Sequence, residues 1–185
     1  DDIPHGEITA VCDTNPDRIQ WARENMGENV RTFDNGDDLI QSGAVDAIIV
    51  ATPHYDHPTF AIKGFEQGLH VLIEKPAGVY TKQVYDMNEA AKKSGKVFSL
   101  MFNQRTRAPH IKLKELVESG ELGEIQRTNY IITSWFRSQS YYDRGGWRAT
   151  WKGEGGGVLM NQCPHNLDLW QWICGMPQRV RSFIR

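Results

Sequence analysis

Residues 47–76, with the sequence AIIVATPHYDHPTFAIKGFEQGLHVLIEKP, contain two short apolar runs separated by a helical stretch. The run AIIVAT at 47–52 shows no alternation of apolar and polar residues, which is typical of a strand covered on both faces of a parallel sheet. HVLIE at 70–74 is interpreted as a second buried strand, and the residues at 57–67 have helical spacing and end at Gly68. This order of strand, helix and strand predicts a right-handed βαβ unit.

The alternation of strands and helices continues on both sides of this unit. Apolar runs predict strands at 7–12, 30–33 and 97–102, and helical spacing predicts helices at 16–26, 37–41 and 82–93. We therefore expect residues 1–104 to form an α/β domain with a Rossmann-like doubly wound parallel sheet that binds a dinucleotide.

The pattern changes after residue 104. It predicts a helix at 111–119, a long strand at 124–136, a Gly- and Trp-rich stretch and a helix at 165–173. We expect residues 105–185 to be the start of an α+β domain.

Composition and charge narrow the classes of function. The chain has 185 residues, with 21 Lys and Arg against 23 Asp and Glu, so its formal net charge is −2. This balance gives no attraction to nucleic acid or to an anionic membrane, and no apolar run approaches the length of a membrane span. Cys12, Cys163 and Cys174 show no CxxC spacing, and Cys163 with His165 provides too few ligands for zinc. We expect a cytoplasmic protein with reduced thiols and no metal site.

Polar residues follow four of the five strands of the predicted sheet. They are Asp13, then Thr52 to His54, then Glu74 and Lys75, and finally Asn103. A single polar loop residue carries little weight, but ligands of open α/β sheets bind outside the carboxyl ends of the strands. Four polar strand ends at one edge therefore indicate a ligand site there.

Asp13 points to the kind of ligand. A carboxylate that ends the second strand of a dinucleotide-binding fold accepts hydrogen bonds from ribose hydroxyls and repels a 2′-phosphate, which favours NAD over NADP. The glycine-rich phosphate turn is expected about 20 residues earlier, but only 12 residues precede Asp13. We therefore expect the first βα unit to be missing from this chain. The GEGGG stretch at 153–157 does not follow an apolar strand and is no substitute.

Two segments resemble the glucose–fructose oxidoreductase/inositol dehydrogenase (Gfo/Idh/MocA) family. They are ATPHYDHPTFAIKGFEQGLHVLIEKPAG at 51–78 and GGGVLMNQCPHNLDL at 155–169, and the Trp147–Arg148 pair also fits. The resemblance covers essentially the whole chain, without the family's first βα unit and most of its C-terminal sheet. It implies nicotinamide-dependent oxidation or reduction of a sugar, a cyclic polyol or a related carbonyl compound. It also implies that residues 105–185 serve substrate binding and oligomerisation, and that the protein is a homo-oligomer, either a dimer or a tetramer.

The resemblance assigns roles to individual residues. Lys75 matches the family's catalytic lysine, His165 matches its acid–base histidine, and Pro76 is expected to follow a cis peptide bond. Together with Asp13, the residues expected to bind the cofactor are Thr52, Pro53, His54, His57, Glu74, Asn103, Trp147 and Arg148. Those expected to bind the substrate are Lys75, Asn161, His165 and Asp168.

Asn161 departs from the family pattern. Many polyol dehydrogenases of the family carry Asp four residues before the histidine. Asparagine binds a hydroxyl but cannot accept its proton, so the proton transfer falls to Lys75 and His165. Asp168 shares a helix face with His165 and either orients the imidazole or tethers the helix.

Two other functions are compatible with these residues. Some proteins with this family resemblance are glycoside hydrolases that keep NAD bound and use a transient oxidation. The other alternative is a non-catalytic module that binds or senses the cofactor.

Overall fold

The computed structural model describes residues 6–133, 136–143 and 146–183. The chain divides into two compact units, Asp1–Leu100 and Met101–Arg185. Each unit is described separately below.

Five strands alternate with four helices in residues 6–100 of the first unit. In chain order they are β1 (Ala10–Cys12), α1 (Pro16–Asn25), β2 (Arg31–Phe33), α2 (Gly36–Gln41), β3 (Ala47–Val50), α3 (His57–Glu66), β4 (His70–Ile73), α4 (Thr81–Ser94) and β5 (Phe98–Leu100). Every element predicted before residue 101 is present, most of them with shorter bounds.

All the strand pairs are parallel, as predicted. β1 pairs with β2, and β3, β4 and β5 form a second sheet in that order. Val50 is paired with Ile73, so β3 and β4 end side by side. No strand among the described residues joins β1 to β3.

One face of the three-stranded sheet carries the core of the first unit. Ile48, Val50, Val71 and Ile73 point to that face and are buried against α3 and α4, together with Phe65 and Met87. Gly64 lets α3 approach the sheet closely, because an added Cβ would lie 2.8 Å from Ile48 Cδ1. Burial of each large apolar side chain contributes roughly 1.5–3 kcal/mol.

The other face of β3 is not covered, contrary to the prediction from the sequence. The alternation-free run was taken as a strand covered on both faces, but Ile49 is 64% exposed. Neighbouring strand residues point to opposite faces, and the packed helices cover only the face of Ile48 and Val50. That interpretation is wrong for the part of the chain that the structure describes.

All the regular secondary structure in the described part of the second unit is helical. A 3₁₀ turn at Asn103–Thr106 is followed by α5 (Ala108–Glu118), α6 (Gln139–Asp143), α7 (Trp151–Glu154), α8 (Val158–Asn161) and α9 (Pro164–Cys174). The helices predicted at 111–119 and 165–173 are confirmed as α5 and α9. None of the described helices combines the length and apolar character needed to cross a membrane.

The strand predicted at 124–136 is wrong for residues 124–133 and 136, which form no ladder. Residues 134 and 135 lie outside the described part of the chain. Ile131 and Phe136 are 82% and 86% exposed. A strand needs a partner for its backbone N–H and C=O groups, and the described residues of this unit supply none.

Candidate functional site

Two turns lie next to each other at the carboxyl ends of β3 and β4. The first holds Thr52, Pro53 and His54, and the second holds Glu74, Lys75 and Pro76. They are neighbours because β3 and β4 are paired up to their last residues, and the Glu74 N–H donates to the carbonyl oxygen of Val50 at 2.9 Å. The parallel sheet thus brings these predicted residues to one edge.

His57 connects the two turns. Its Nδ1 lies 2.7 Å from the carbonyl oxygen of Pro76, and its Nε2 lies 2.7 Å from the carbonyl oxygen of Thr52. Carbonyl oxygens only accept hydrogen bonds, so a ring nitrogen that carries a proton donates to the carbonyl oxygen beside it. The residue is only 1% exposed, and each of its two ring nitrogens contacts a backbone carbonyl oxygen. His57, which the resemblance places among the cofactor-binding residues, links the two turns through its ring.

Lys75 is the second residue after β4, which ends at Ile73. Its peptide bond to Pro76 is cis, as the resemblance implied. The Lys75 N–H donates to Glu74 Oε2 at 3.1 Å. The carboxylate of Glu74 is therefore held against the backbone of the residue expected to be catalytic.

The Thr52 hydroxyl provides one test of whether a cofactor fits this edge. Its oxygen is buried and has no hydrogen-bond partner among the described residues. A buried hydroxyl without a partner is costly, so a ligand that supplies one fits here. His54 is 3% exposed, and its ring centroid lies 6.0 Å from that of His57.

Asp13 lies just beyond β1 on a cavity of about 670 Å³. Ile19 and Arg23 of α1 and Phe33 of β2 also line the cavity. Asp13 Oδ1 accepts from the Asn15 N–H at 2.8 Å, and Oδ2 accepts from Arg18 Nη1 at 3.0 Å. A carboxylate oxygen has more than one acceptor position, so these bonds leave room for ribose hydroxyls. Arg18 is not among the site residues predicted from the sequence.

The second unit contains Asn161 and His165, at the end of α8 and in the first turn of α9. The Phe102 ring lies edge-on to the His165 ring, with a centroid distance of 6.1 Å. Asn161 Nδ2 donates to Glu154 Oε1 at 2.5 Å, and both residues are 4% exposed. Glu154 is not among the site residues predicted from the sequence, because the GEGGG stretch was interpreted only as a candidate phosphate turn.

Asp168 is held by Arg105. Arg105 Nε donates to Asp168 Oδ2 at 2.8 Å, and Nη2 donates to Oδ1, which makes the contact bidentate. The hydrogen bonds to Asp168 raise the pKa of the Arg105 guanidinium above its ordinary value. Arg105 also lies 5.4 Å from the centroid of the Trp172 ring. These contacts tie α9 to the turn at Asn103–Thr106, which fits the tethering role left open by the sequence.

Asn103 and the Trp147–Arg148 pair also belong to the second unit. The carbonyl oxygen of Asn103 accepts from the Thr106 hydroxyl at 2.8 Å within the 3₁₀ turn. The Arg148 guanidinium lies 4.6 Å from the Trp147 ring centroid and 4.7 Å from that of Tyr141, whose hydroxyl it contacts at 2.8 Å. Two aromatic rings thus hold the arginine in place.

Two family models match the chain. The model described as the oxidoreductase family, NAD-binding Rossmann fold, matches residues 1–102, and the GFO/IDH/MocA C-terminal domain matches residues 110–185. The chain therefore belongs to the Gfo/Idh/MocA family of oxidoreductases. The Rossmann-like α/β fold predicted from the strand order is confirmed with it.

Similar proteins include sugar and inositol dehydrogenases. The D-glucoside 3-dehydrogenase of Escherichia coli K12 is 32% identical over 176 residues, which cover 92% of this chain and 47% of that protein. The inositol 2-dehydrogenase of Rubrobacter xylanophilus is 27% identical, over 92% of this chain and 46% of that protein. The chain spans about half the length of these relatives.

Solved structures also resemble this chain. The WlbA dehydrogenase of Bordetella pertussis, in complex with NADH and UDP-GlcNAcA, has a TM-score of 0.80 and 35% identity over 91% of this chain and 48% of that one. The scyllo-inositol dehydrogenase of Lactobacillus casei, with NAD(H) and scyllo-inositol, has a TM-score of 0.80 over 94% of this chain and 50% of that one. Because the scyllo-inositol dehydrogenase is only 23% identical in sequence to this chain, its similarity shows a shared fold alone.

Proposed function

We propose that the protein containing this chain is an NAD-dependent oxidoreductase of sugars, cyclic polyols or related carbonyl compounds. The observation that carries the proposal is the pair of turns at the ends of β3 and β4, which places Lys75 beside Thr52 at the ligand edge of the sheet. The named relatives support the substrate class, because one is a D-glucoside dehydrogenase and another an inositol dehydrogenase. They give no support to the glycoside hydrolase alternative.

In this proposal, residues of the first unit bind the cofactor. Asp13 and the cavity beside it suit the adenosine ribose, and the Thr52 hydroxyl and Glu74 suit the nicotinamide half. When bound, NAD supplies the centre that accepts or returns a hydride. Asp13 favours the ribose hydroxyls of NAD over the phosphate of NADP by like-charge repulsion.

Lys75 and His165 carry the proton chemistry. The Lys75 ammonium donates to the reacting oxygen and holds it in one orientation. The His165 imidazole takes the proton of the substrate hydroxyl during oxidation and returns it during reduction. Asn161 binds a hydroxyl without exchanging a proton, because an amide is neither a useful acid nor a useful base near neutral pH.

A direct assay tests the proposal. The full-length protein is mixed with NAD and a panel containing D-glucose, a methyl D-glucoside and myo-inositol, and reduced nicotinamide is followed by absorbance. We expect turnover on at least one member. A nitrophenyl glycoside assay without added NAD runs beside it. Release of the phenol, without reduction of NAD on any panel member, would replace the dehydrogenase with the hydrolase.

A further inference from the structure

Lys75 lies in the connection between β4 and α4, which comprises residues 74–80. The two elements that bound this connection are fixed, because β4 is paired with β3 and α4 packs against α3. The backbone path of the connection therefore decides where the Lys75 side chain begins.

Contacts with the segment at 52–58 hold the middle of the connection. The carbonyl oxygen of Pro76 lies 2.7 Å from His57 Nδ1. A Cβ added to Gly78 would lie 2.7 Å from Pro58 Cγ, so the backbone of the connection rests directly on the start of α3. The Pro58 side chain is fully buried in close-packed surroundings, which leave it little room to move. Both of these contacts lie below the surface.

Tyr55 and Tyr80 form a further contact between the same two segments. Tyr55 lies in the turn after β3, and Tyr80 is the last residue before α4. Their ring centroids are 5.9 Å apart at an interplanar angle of 62°, an edge-to-face arrangement that is favourable for aromatic rings. Partial burial, the electrostatic effect of Tyr80 and a hydrogen bond to its side chain raise the pKa of Tyr55 above its ordinary value. The pair thus joins the far end of the connection to the turn that carries Thr52.

We infer that Tyr55 and Tyr80 are positioning residues for Lys75. The connection leaves β4 at Glu74, is held in its middle by His57 and is fastened at its end by the tyrosine pair. A segment held at these three places samples fewer conformations, so the ammonium is kept near one position before the substrate binds. The inference rests on the proposed function, in which Lys75 is catalytic.

The exposure of Tyr80 separates this role from a role in the core. Its side chain is 56% exposed, so its removal should have a small effect on the free energy of unfolding. Tyr85 is 63% exposed on the same helix, α4, and is the matched control.

Alanine variants of the full-length protein test the role through kcat. On the panel member with the highest turnover, we expect Tyr55→Ala and Tyr80→Ala each to lower kcat by about 3–10-fold, because each breaks the same contact. Their Tm and their KM for NAD should stay close to those of Tyr85→Ala, which should keep the wild-type kcat. Tyr80→Phe keeps the edge-to-face contact and should recover part of the loss. An unchanged kcat in a folded Tyr55→Ala protein would overturn the inference.

The double variant tests whether the two tyrosines act as a pair. Their contact is already broken in either single variant, so the double variant cannot lose it again. We expect its loss of kcat to be smaller than the product of the two single losses by about threefold or more. Other contacts of Tyr55 do not affect this comparison, because they are lost in the single and the double variant alike. A smaller shortfall would overturn the pairing.

Deuterium uptake by backbone amides gives a readout that does not depend on turnover. Tyr55→Ala leaves the sequence of residues 74–80 unchanged, so the uptake of a peptide that covers them reports on their opening. We expect this uptake to be about 3–10-fold faster in Tyr55→Ala than in wild type and in Tyr85→Ala. Equal uptake in the three proteins would overturn the inference. If wild type is inactive on the whole panel but uptake rises in Tyr55→Ala, the proposed function fails while the tyrosine link stands.

Discussion

Nδ1 of His57 lies 2.7 Å from the carbonyl oxygen of Pro76, the residue directly after Lys75. The other ring nitrogen holds the carbonyl oxygen of Thr52 at the same distance. A buried ring therefore joins the turn that carries Lys75 to the turn beside it. The position of Lys75 depends on this contact as well as on the end of β4.

Replacing His57 tests the link between the turns. His57→Phe keeps an aromatic ring in the buried site but removes both hydrogen bonds. We expect kcat in the full-length protein to fall by about 10–100-fold, because a small displacement of a catalytic group has an effect of that order. The KM for the substrate should change less than kcat, and His57→Gln, which retains N–H donors, should recover part of the loss.

His70 provides a matched control in the same unit. Its Nδ1 accepts from the Val97 N–H at 3.0 Å, which ties β4 to the start of β5 at the opposite end of the strands. His70→Phe also removes a backbone contact of a histidine, but it should leave kcat within about threefold of wild type. Equal losses of kcat in the two variants would assign His57 to general stability alone.

In the proposed function, Asp13 selects NAD over NADP. Asp13→Ser removes the charge that repels a 2′-phosphate. It also releases Arg18, whose Nη1 lies 3.0 Å from Asp13 Oδ2 in the wild-type protein. The ratio of kcat/KM for NAD to that for NADP should fall by about 10–100-fold. Asp17→Ser, which also lines the cavity beside Asp13, should leave the ratio nearly unchanged. An unchanged ratio in Asp13→Ser would remove Asp13 from the cofactor site.

Replacing Arg105 tests whether Asp168 tethers α9 or orients the imidazole of His165. The Asp168 side chain is 6% exposed, whereas that of Arg105 is 37% exposed. Arg105→Met leaves the buried carboxylate without its partner and should lower the free energy of unfolding by about 2 kcal/mol. If Asp168 only tethers α9, the pH profile of kcat is unchanged in this variant. A shifted profile in a folded Arg105→Met protein would show that Asp168 acts on the imidazole.

Local patterns in the sequence predicted most of the first unit. The apolar runs that became β3 and β4 and the helical spacing before Gly68 depend on neighbouring residues alone, and they gave the parallel βαβ order. The exposure of Ile49 was not predictable in this way, because burial depends on what packs against the face. The strand predicted at 124–136 is absent from residues 124–133 and 136 for a related reason, since a ladder requires a partner strand.

Less of the candidate site than of the fold could be predicted from the sequence. The strand ends located Thr52 and Lys75, but the link made by His57 reaches Pro76 across 19 positions and concerns backbone atoms, which no side-chain pattern reveals. Glu154 was hidden within a glycine-rich stretch and became visible only through its contact with Asn161. Its signal in the sequence was a carboxylate followed by the glycines of a chain reversal.

The most direct test of the proposed activity is the turnover of Lys75→Met in the full-length protein. On the best substrate of the panel, the rate of nicotinamide reduction should fall by ~10²–10⁴-fold, while NADH binding is largely kept. Lys82→Met, on an exposed position of α4 where the lysine pairs with Asp86, is the matched control and should retain the wild-type rate. Near-normal turnover in Lys75→Met would contradict the role of Lys75 and with it the proposed mechanism.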